Sequence, residues 1–177
     1  MSKWAALEGT TTIARQRPGV SAEVLGEQRH RAVLGWLDEP GISIVEEGRA
    51  LKGLALSSGH DPTEGGIAMG IAEICKASGV GAEVREEALP VREETRLLCA
   101  RFGLDPLGLL GSGSFLFTAR PRTAREACRR LDARGIPAAV IGTMMDKPGV
   151  WLCRDGGRTP LRFSEQDEIV KLERVGR

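Results

Sequence analysis

The chain of 177 residues suits one domain with a sizeable core. Its formal net charge of +1 gives no electrostatic reason for a nucleic-acid or membrane partner, and with no tyrosine and 4% aromatics a base-stacking surface is not expected. No apolar run approaches the ~20 residues needed to span a bilayer, and the opening "MSKWAALEGTTT" has no secretory h-region, so a cytoplasmic protein is expected.

In chain order, "TTTIARQRP" reads as a short helix closed near Pro18. "SAEVLGEQRHRAVLGWLDEPG" reads as one longer helix with Ser21 as N-cap and a stop at Pro40-Gly41. "ISIV", Ile42 to Val45, is β-branched and short, which predicts a strand. "EEGRALKGL" supplies another helical turn or two, and Glu64 to Ser78 a helix. A strand follows around Val84, then a helix with Pro90 near its start and Gly103 at its end. "DPLGLLGSG" is a compact turn holding Asp105 as a turn residue, and Ser114–Ala119 a strand. "RTAREACRRLDARG" is amphipathic, with Ala124, Ala127, Cys128 and Leu131 inward and an arginine-rich solvated face. "IPAAVIGTMM" is a strand, "GVWLCRDGGRTPLRF" a hairpin around Asp155-Gly156-Gly157, and "SEQDEIVKLE" a closing helix capped by Ser164. This alternation predicts an α/β to α+β domain, a mixed sheet covered by helices. The expected organisation is a helical N-terminal segment, residues 1–41, and one domain over residues 42–177.

The four cysteines, Cys75, Cys99, Cys128 and Cys153, form no C-x-x-C pair and read as buried, inert thiols. With His30 and His60 as the only histidines, no metal site is expected.

The stretch richest in chemistry is "SSGHDPTEGGIAMGIAEI", Ser57 to Ile74. Asp61 as N-cap, Pro62 at N1 and Glu64 at N3 make a variant capping box, which accounts for "DPTE" with no ligand. Gly65 and Gly66 do not fit that account, because glycine in a first helical turn costs ~1 kcal/mol against alanine. Together with Gly70 they permit close approach of backbone or ligand, and a glycine-bearing helix start offers N–H groups to an anion. Packing is the favoured reading of the two. His60 beside Asp61 is either an acid–base group or an exposed loop histidine, and "GSGSF" at Gly111 to Phe115 is either a strand-entry turn or a cleft loop.

The run "HDPTEGGIAMGIAEICKASGVGAEV" resembles the C-terminal domain of the aminoimidazole ribonucleotide (AIR) synthetase-related superfamily, nearest to the hydrogenase expression/formation protein E branch with its D-P-T-x-G-G motif. The resemblance continues through "LPVREETRLLCARFGLDPLGLLGSGSFLF", "GIPAAVIGTM" and, upstream, "LDEPGISIVEE". It implies a cleft-closing domain, with His60, Asp61, Thr63, Gly65, Gly66, Gly111, Ser112, Gly113 and Ser114 lining a ligand site. Family members use ATP and magnesium, most of whose ligands an N-terminal domain supplies. The sequence departs from the family in three respects: it contains no recognisable ATP-binding domain before Ile42, no cysteine in the final "KLERVGR", and Glu64 where the branch usually carries arginine. No cofactor is therefore expected of the chain alone, with ATP and magnesium implied only if such a domain is supplied. Catalytic residues are not identified. Three functional readings follow: a domain binding a nucleotide, phosphate or small acyl ligand or complementing a separate ATP-binding domain; a non-catalytic homo-oligomeric interaction module; and a piece of an ATP-dependent dehydratase or ligase. A homodimer or a separately encoded partner domain is the expected partner.

Overall fold

The computed structural model describes residues 1–173, and the tail at 174–177, read above for its lack of cysteine, lies outside the described residues. Seven α-helices and six strands are formed among the described residues: α1 Leu7–Gln16, α2 Pro18–Leu25, α3 Glu27–Leu34, α4 Val45–Leu51, β1 Leu56–His60, α5 Gly66–Ser78, β2 Gly81–Arg85, α6 Glu93–Phe102, β3 Leu116–Ala119, α7 Pro121–Asp132, β4 Gly142–Met145, β5 Gly149–Arg154 and β6 Gly157–Pro160. β1 and β3 pair antiparallel as a two-stranded sheet; the other sheet runs in the order β4-β2-β5-β6, with β2 and β5 parallel and the rest antiparallel. The expected mixed sheet covered by helices is therefore present, as two pieces.

α5 holds the two pieces together. Its Ile67, Ala68, Ile71, Ile74 and Cys75 share one core with Ala82 and Val84 of β2 and Leu116 of β3. On the other side of β3, Phe115 and Phe117 pack with Ala127 and Leu131 of α7. A third core joins the N-terminal helices to α6: Leu7, Ile13, Val33 and Trp36 meet Leu98, Phe102 and Leu109. Each fully buried leucine here contributes roughly 1.5–3 kcal/mol. Met1 and Ser2 are buried as well, and Ser2 bridges antiparallel to both Phe115 and Ala138. Burial pushes the Met1 amine, which donates to the Ala139 carbonyl, down to about 6.

Several local expectations are corrected. The long helix after Pro18 is two helices, because Gly26 sits at φ 77° and ψ 153°, a break only glycine makes cheaply. Ser21 is inside α2 rather than capping it, and its Oγ pairs with His30 Nδ1 at 3.0 Å in a buried contact. "ISIV" forms no strand. Its neighbourhood is held by a lysine instead, Lys3 Nζ donating to the Ser43 and Gly41 carbonyls at 2.7 and 3.3 Å, and Val45 opens α4. Tertiary contacts override the β-branched preference there. In "IPAAVIGTMM" only Gly142–Met145 lies in a strand. The closing segment is a 3-10 helix, Glu168–Glu173, and Ser164 Oγ accepts from the Gln166 N–H as a local turn. The hairpin forms at Asp155-Gly156, both at positive φ (49° and 76°), the signature of a two-residue primed turn.

All four cysteines are free, but only Cys75 and Cys99 are buried, whereas Cys128 and Cys153 are partly exposed. Burial pushes the Cys99 thiol up to about 12 and raises that of Cys75.

Candidate functional site

The motif residues converge on the N-terminal end of α5. Asp61 is not the N-cap: α5 begins at Gly66, and Gly65, at φ 72°, precedes it with no side-chain cap. "DPTE" is a loop. The capping-box reading fails because two successive glycines in the left-handed region, Gly65 and Gly66 (φ 61°), turn the chain one residue after Glu64.

The reason for those glycines is close backbone approach. A Cβ on Gly66 would lie 2.5 Å from both the Leu107 and Leu109 carbonyl oxygens, and one on Gly65 would lie 2.8 Å from the Ser164 carbonyl oxygen. Gly70 gives room to Pro62, Leu116 and His60, whose nearest atoms would stand 2.9, 3.0 and 3.4 Å from its Cβ. The loop around Gly111 interlocks with the same turn. Gly111 N–H donates to the Thr63 carbonyl at 3.0 Å, and its own Cβ position is 3.3 Å from Gly66 Cα. Gly113, at φ 103°, packs on Ile42, while the buried Ser114 Oγ donates back to the Gly111 carbonyl at 2.9 Å. Ser112 is half-buried in the same turn. Thus Thr63, Gly65, Gly66 and Gly111 come together, and Gly113 and Ser114 point the loop toward residues 41–42.

Sequence reasoning missed Asp167. This nearly buried carboxylate accepts from Gly65 N–H at 2.8 Å, Leu110 N–H at 3.3 Å and Ile169 N–H at 2.9 Å, pinning both glycine loops to the C-terminal segment. Desolvation raises its pKa, against the pull of the three amides toward the charged form. Nothing in its sequence neighbourhood, "SEQDEI", singles it out. Asp167→Ala is expected to cost roughly 2–4 kcal/mol, since it strands the buried Gly65 amide and the part-buried Leu110 amide. A lower urea midpoint at unchanged m-value is the measurement. Asp167→Asn recovers only part, because an amide NH2 then faces one of the donors.

His60 is the last residue of β1 rather than a loop residue, opposite Leu116 of β3. Its Nε2 lies 2.6 Å from Glu73 Oε2 and its Nδ1 3.9 Å from Asp61 Oδ1. Glu73, the lone acid of the apolar α5 stretch, was the available signal for this pair. The pair orients the imidazole as an acid–base group would require.

A phosphate cradle does not follow from this geometry. Around the start of α5, Gly65 N–H goes to Asp167, Gly66 N–H to the Thr63 carbonyl and Ala68 N–H to the Leu107 carbonyl. The exposed side chains of the "DPTE" turn are Asp61, Thr63 and Glu64, two of them acidic. ATP phosphates therefore do not fit these residues alone.

A mixed α/β domain with two interlocked glycine loops at one end of its central helix is the class these features define. The chain belongs to the AIR synthase related protein, C-terminal domain family, whose model matches residues 18–152. It is 36% identical over 111 residues to a carbamoyl dehydratase HypE of Rhizobium leguminosarum bv. viciae, 56% of this chain and 32% of that protein. It superposes on the crystal structure of E. coli HypE, a hydrogenase maturation protein, with a TM-score of 0.74 at 23% identity, covering 93% of this chain and 48% of that one. A structure of the hydrogenase maturation protein HypE in complex with ATP gives a TM-score of 0.67 at 26% identity, over 94% of this chain and 50% of that one. The chain is thus homologous to the C-terminal half of HypE. It spans about a third of the curated relative and about half of the solved chains. No helix among the described residues is long and apolar enough to cross a membrane.

Proposed function

We propose that this domain complements a separate ATP-binding domain and closes its cleft, with His60, Asp61, Thr63, Gly65, Gly66 and Gly111 to Ser114 facing the nucleotide or small acyl ligand. The observation that carries this reading is the state of the loops. They are interlocked, and three amides around the start of α5, those of Gly65, Gly66 and Ala68, are engaged within the chain, so they suit a wall better than a free-standing phosphate site. Exposed apolar residues flank them. Phe163, 53% exposed, adjoins Ser164 at Gly65, and Val45, 57% exposed, stands near the Ile42–Gly113 contact. Such residues beside a polar turn fit a domain–domain contact.

The test combines ligand binding with association. Thermal shift of the chain alone with ATP, ADP, phosphate and magnesium is expected to give no saturable change. Mixing with the isolated ATP-binding half of the R. leguminosarum HypE is expected to give a complex on sizing, with an ATP-dependent shift. A saturable ATP shift of the chain alone overturns the division of labour. A stable homodimer that ignores both nucleotide and partner replaces this reading with a non-catalytic oligomeric module.

A further inference from the structure

Two of the three tryptophans grip one side chain. Arg92, the residue just before α6, places its guanidinium 3.8 Å from the ring centre of Trp4 and 4.7 Å from that of Trp36. The rings come from separate parts of the chain: Trp4 precedes α1 and Trp36 follows α3. Trp36 is itself buried in the core with Leu98 and Phe102 of α6. The clamp is thus built on packed elements, which fix the direction of its cation. None of the nine motif residues belongs to it.

What the clamp lacks is an anion. Arg92 makes no hydrogen bond and no ion pair among the described residues, and its Nε is sealed from solvent without a partner. Since Nε alone of its nitrogens is both buried and unpartnered, Nη1 and Nη2 reach the surface. The neighbouring charges are committed elsewhere: Glu93 pairs with Arg29 and Lys3 with Glu47, each at 3.1 Å. Burial pulls the pKa of Arg92 down, and Glu94 opposes this through space only. A guanidinium stripped of part of its water and given no acceptor in return is costly, more so than a neutral donor. Covering two tryptophans needs only an apolar side chain, which carries no such cost.

The same chain shows what completes the arrangement. Arg158 stacks on the third tryptophan, Trp151, at 4.6 Å, and there its Nη1 donates to Glu83 Oε1 at 2.8 Å. Arg92 repeats that stack with a second ring and with no carboxylate on its fork among the described residues. We propose that Arg92, held between Trp4 and Trp36, is a receptor for a carboxylate from outside the chain, taken end-on by Nη1 and Nη2. The fork matches the two oxygens of a carboxylate, and the stack has already removed freedom that the side chain would otherwise lose on binding. A single cation balances a carboxylate, whereas a phosphate with roughly two charges calls for more than one. The site adjoins the glycine loops without being part of them. The Trp36 carbonyl accepts from Gly41 N–H at 3.2 Å, and the Gly41 carbonyl oxygen stands 3.3 Å from the Cβ position of Gly113. The assignment does not depend on the partner-domain reading above.

The arginine Nε–H and tryptophan indole N–H resonances of the isotope-labelled full chain test it, with sodium acetate as probe and sodium chloride at equal ionic strength as control. The Arg92 signal and the Trp4 and Trp36 indole signals are expected to move together and saturate, with a midpoint of about 10 mM for a ligand of so few atoms. The Arg158 signal is expected to stay, because Glu83 already occupies that guanidinium. Arg92→Lys keeps the charge but not the fork, and is expected to weaken the indole titration roughly tenfold. Acetate that moves none of the three signals beyond the chloride control overturns the site and leaves Arg92 as a cover for the tryptophans. An undiminished indole titration in Arg92→Lys overturns the fork, and tighter binding of inorganic phosphate than of acetate overturns the carboxylate. Once acetate binds, the ATP-binding half of the R. leguminosarum HypE in acetate-free buffer separates two sources. Movement of the same signals assigns the carboxylate to an acidic side chain of that partner; no movement assigns it to a small free carboxylate.

Discussion

Lys3→Met is expected to lower the unfolding free energy by about 3–5 kcal/mol. Lys3 Nζ lies 3.1 Å from Glu47 Oε1, and the side chains are only 7% and 1% exposed. Lys3 also donates to the Ser43 and Gly41 carbonyls, so the ammonium is held by two hydrogen bonds beside its ion pair. Glu47 Oε1 accepts from Ser2 Oγ at 3.2 Å as well, but its Oε2 has no hydrogen-bond partner among the described residues. Removing the lysine leaves a buried carboxylate with one weak neutral donor and releases the 41–43 turn. That turn is the surface on which Gly113 packs, with its Cβ position 3.2 Å from Ile42 Cα. The double change Lys3→Met with Glu47→Leu is expected to recover most of the loss, since a buried pair replaced by apolar side chains is close to neutral. Urea unfolding of the two variants decides the matter. Equal losses in the single and double variants would mean that packing at Lys3, not the charge pair, carries the stability.

How much of this was legible in the sequence depends on the range of the interaction. The Gly103 stop of α6, the amphipathic α7 and the Asp155-Gly156 hairpin follow from local rules and form where turn chemistry or periodicity places them, whereas α6 opens at Glu93, three residues after the Pro90 expected at its start. The break at Gly26 was present in the letters, but a glycine inside a helical pattern is as often tolerated as not. "ISIV" misled because strand propensity needs an edge to pair with. The pairing groups of the 41–43 turn went instead to a lysine nearly forty residues away. The site was half legible. The two glycines signalled an unusual turn and close packing, and both are found. The partner of that turn, Asp167, is about a hundred residues distant along the chain and carries no local mark. The split sheet was not legible at all, since a strand's existence does not say which edge is left open.

The glycine pair yields the second large effect. Gly66→Ala is expected to cost roughly 3–5 kcal/mol, from two separable causes. The first is conformation: at φ 61° an L-residue pays ~1–2 kcal/mol. The second is space: the new Cβ would stand 2.5 Å from two carbonyl oxygens, both backbone, and backbone yields only by moving the whole 107–109 loop. Gly79→Ala isolates the first cause. It lies at the other end of the same helix at φ 67°, but nothing stands within 4 Å of its Cβ position, so it is expected to cost only about 1–2 kcal/mol. The difference between the two variants, read from urea midpoints at constant m-value, measures what the interlock of the two loops is worth. If both cost the same, Gly66 serves the turn alone and the loops are merely adjacent. If Gly66→Ala costs more, as expected, any variant that stays folded has displaced the 107–109 carbonyls and with them the Gly111 contact to Thr63. Such a variant is expected to lose association with the ATP-binding half while Gly79→Ala retains it, because only the first moves the loops proposed to wall the cleft.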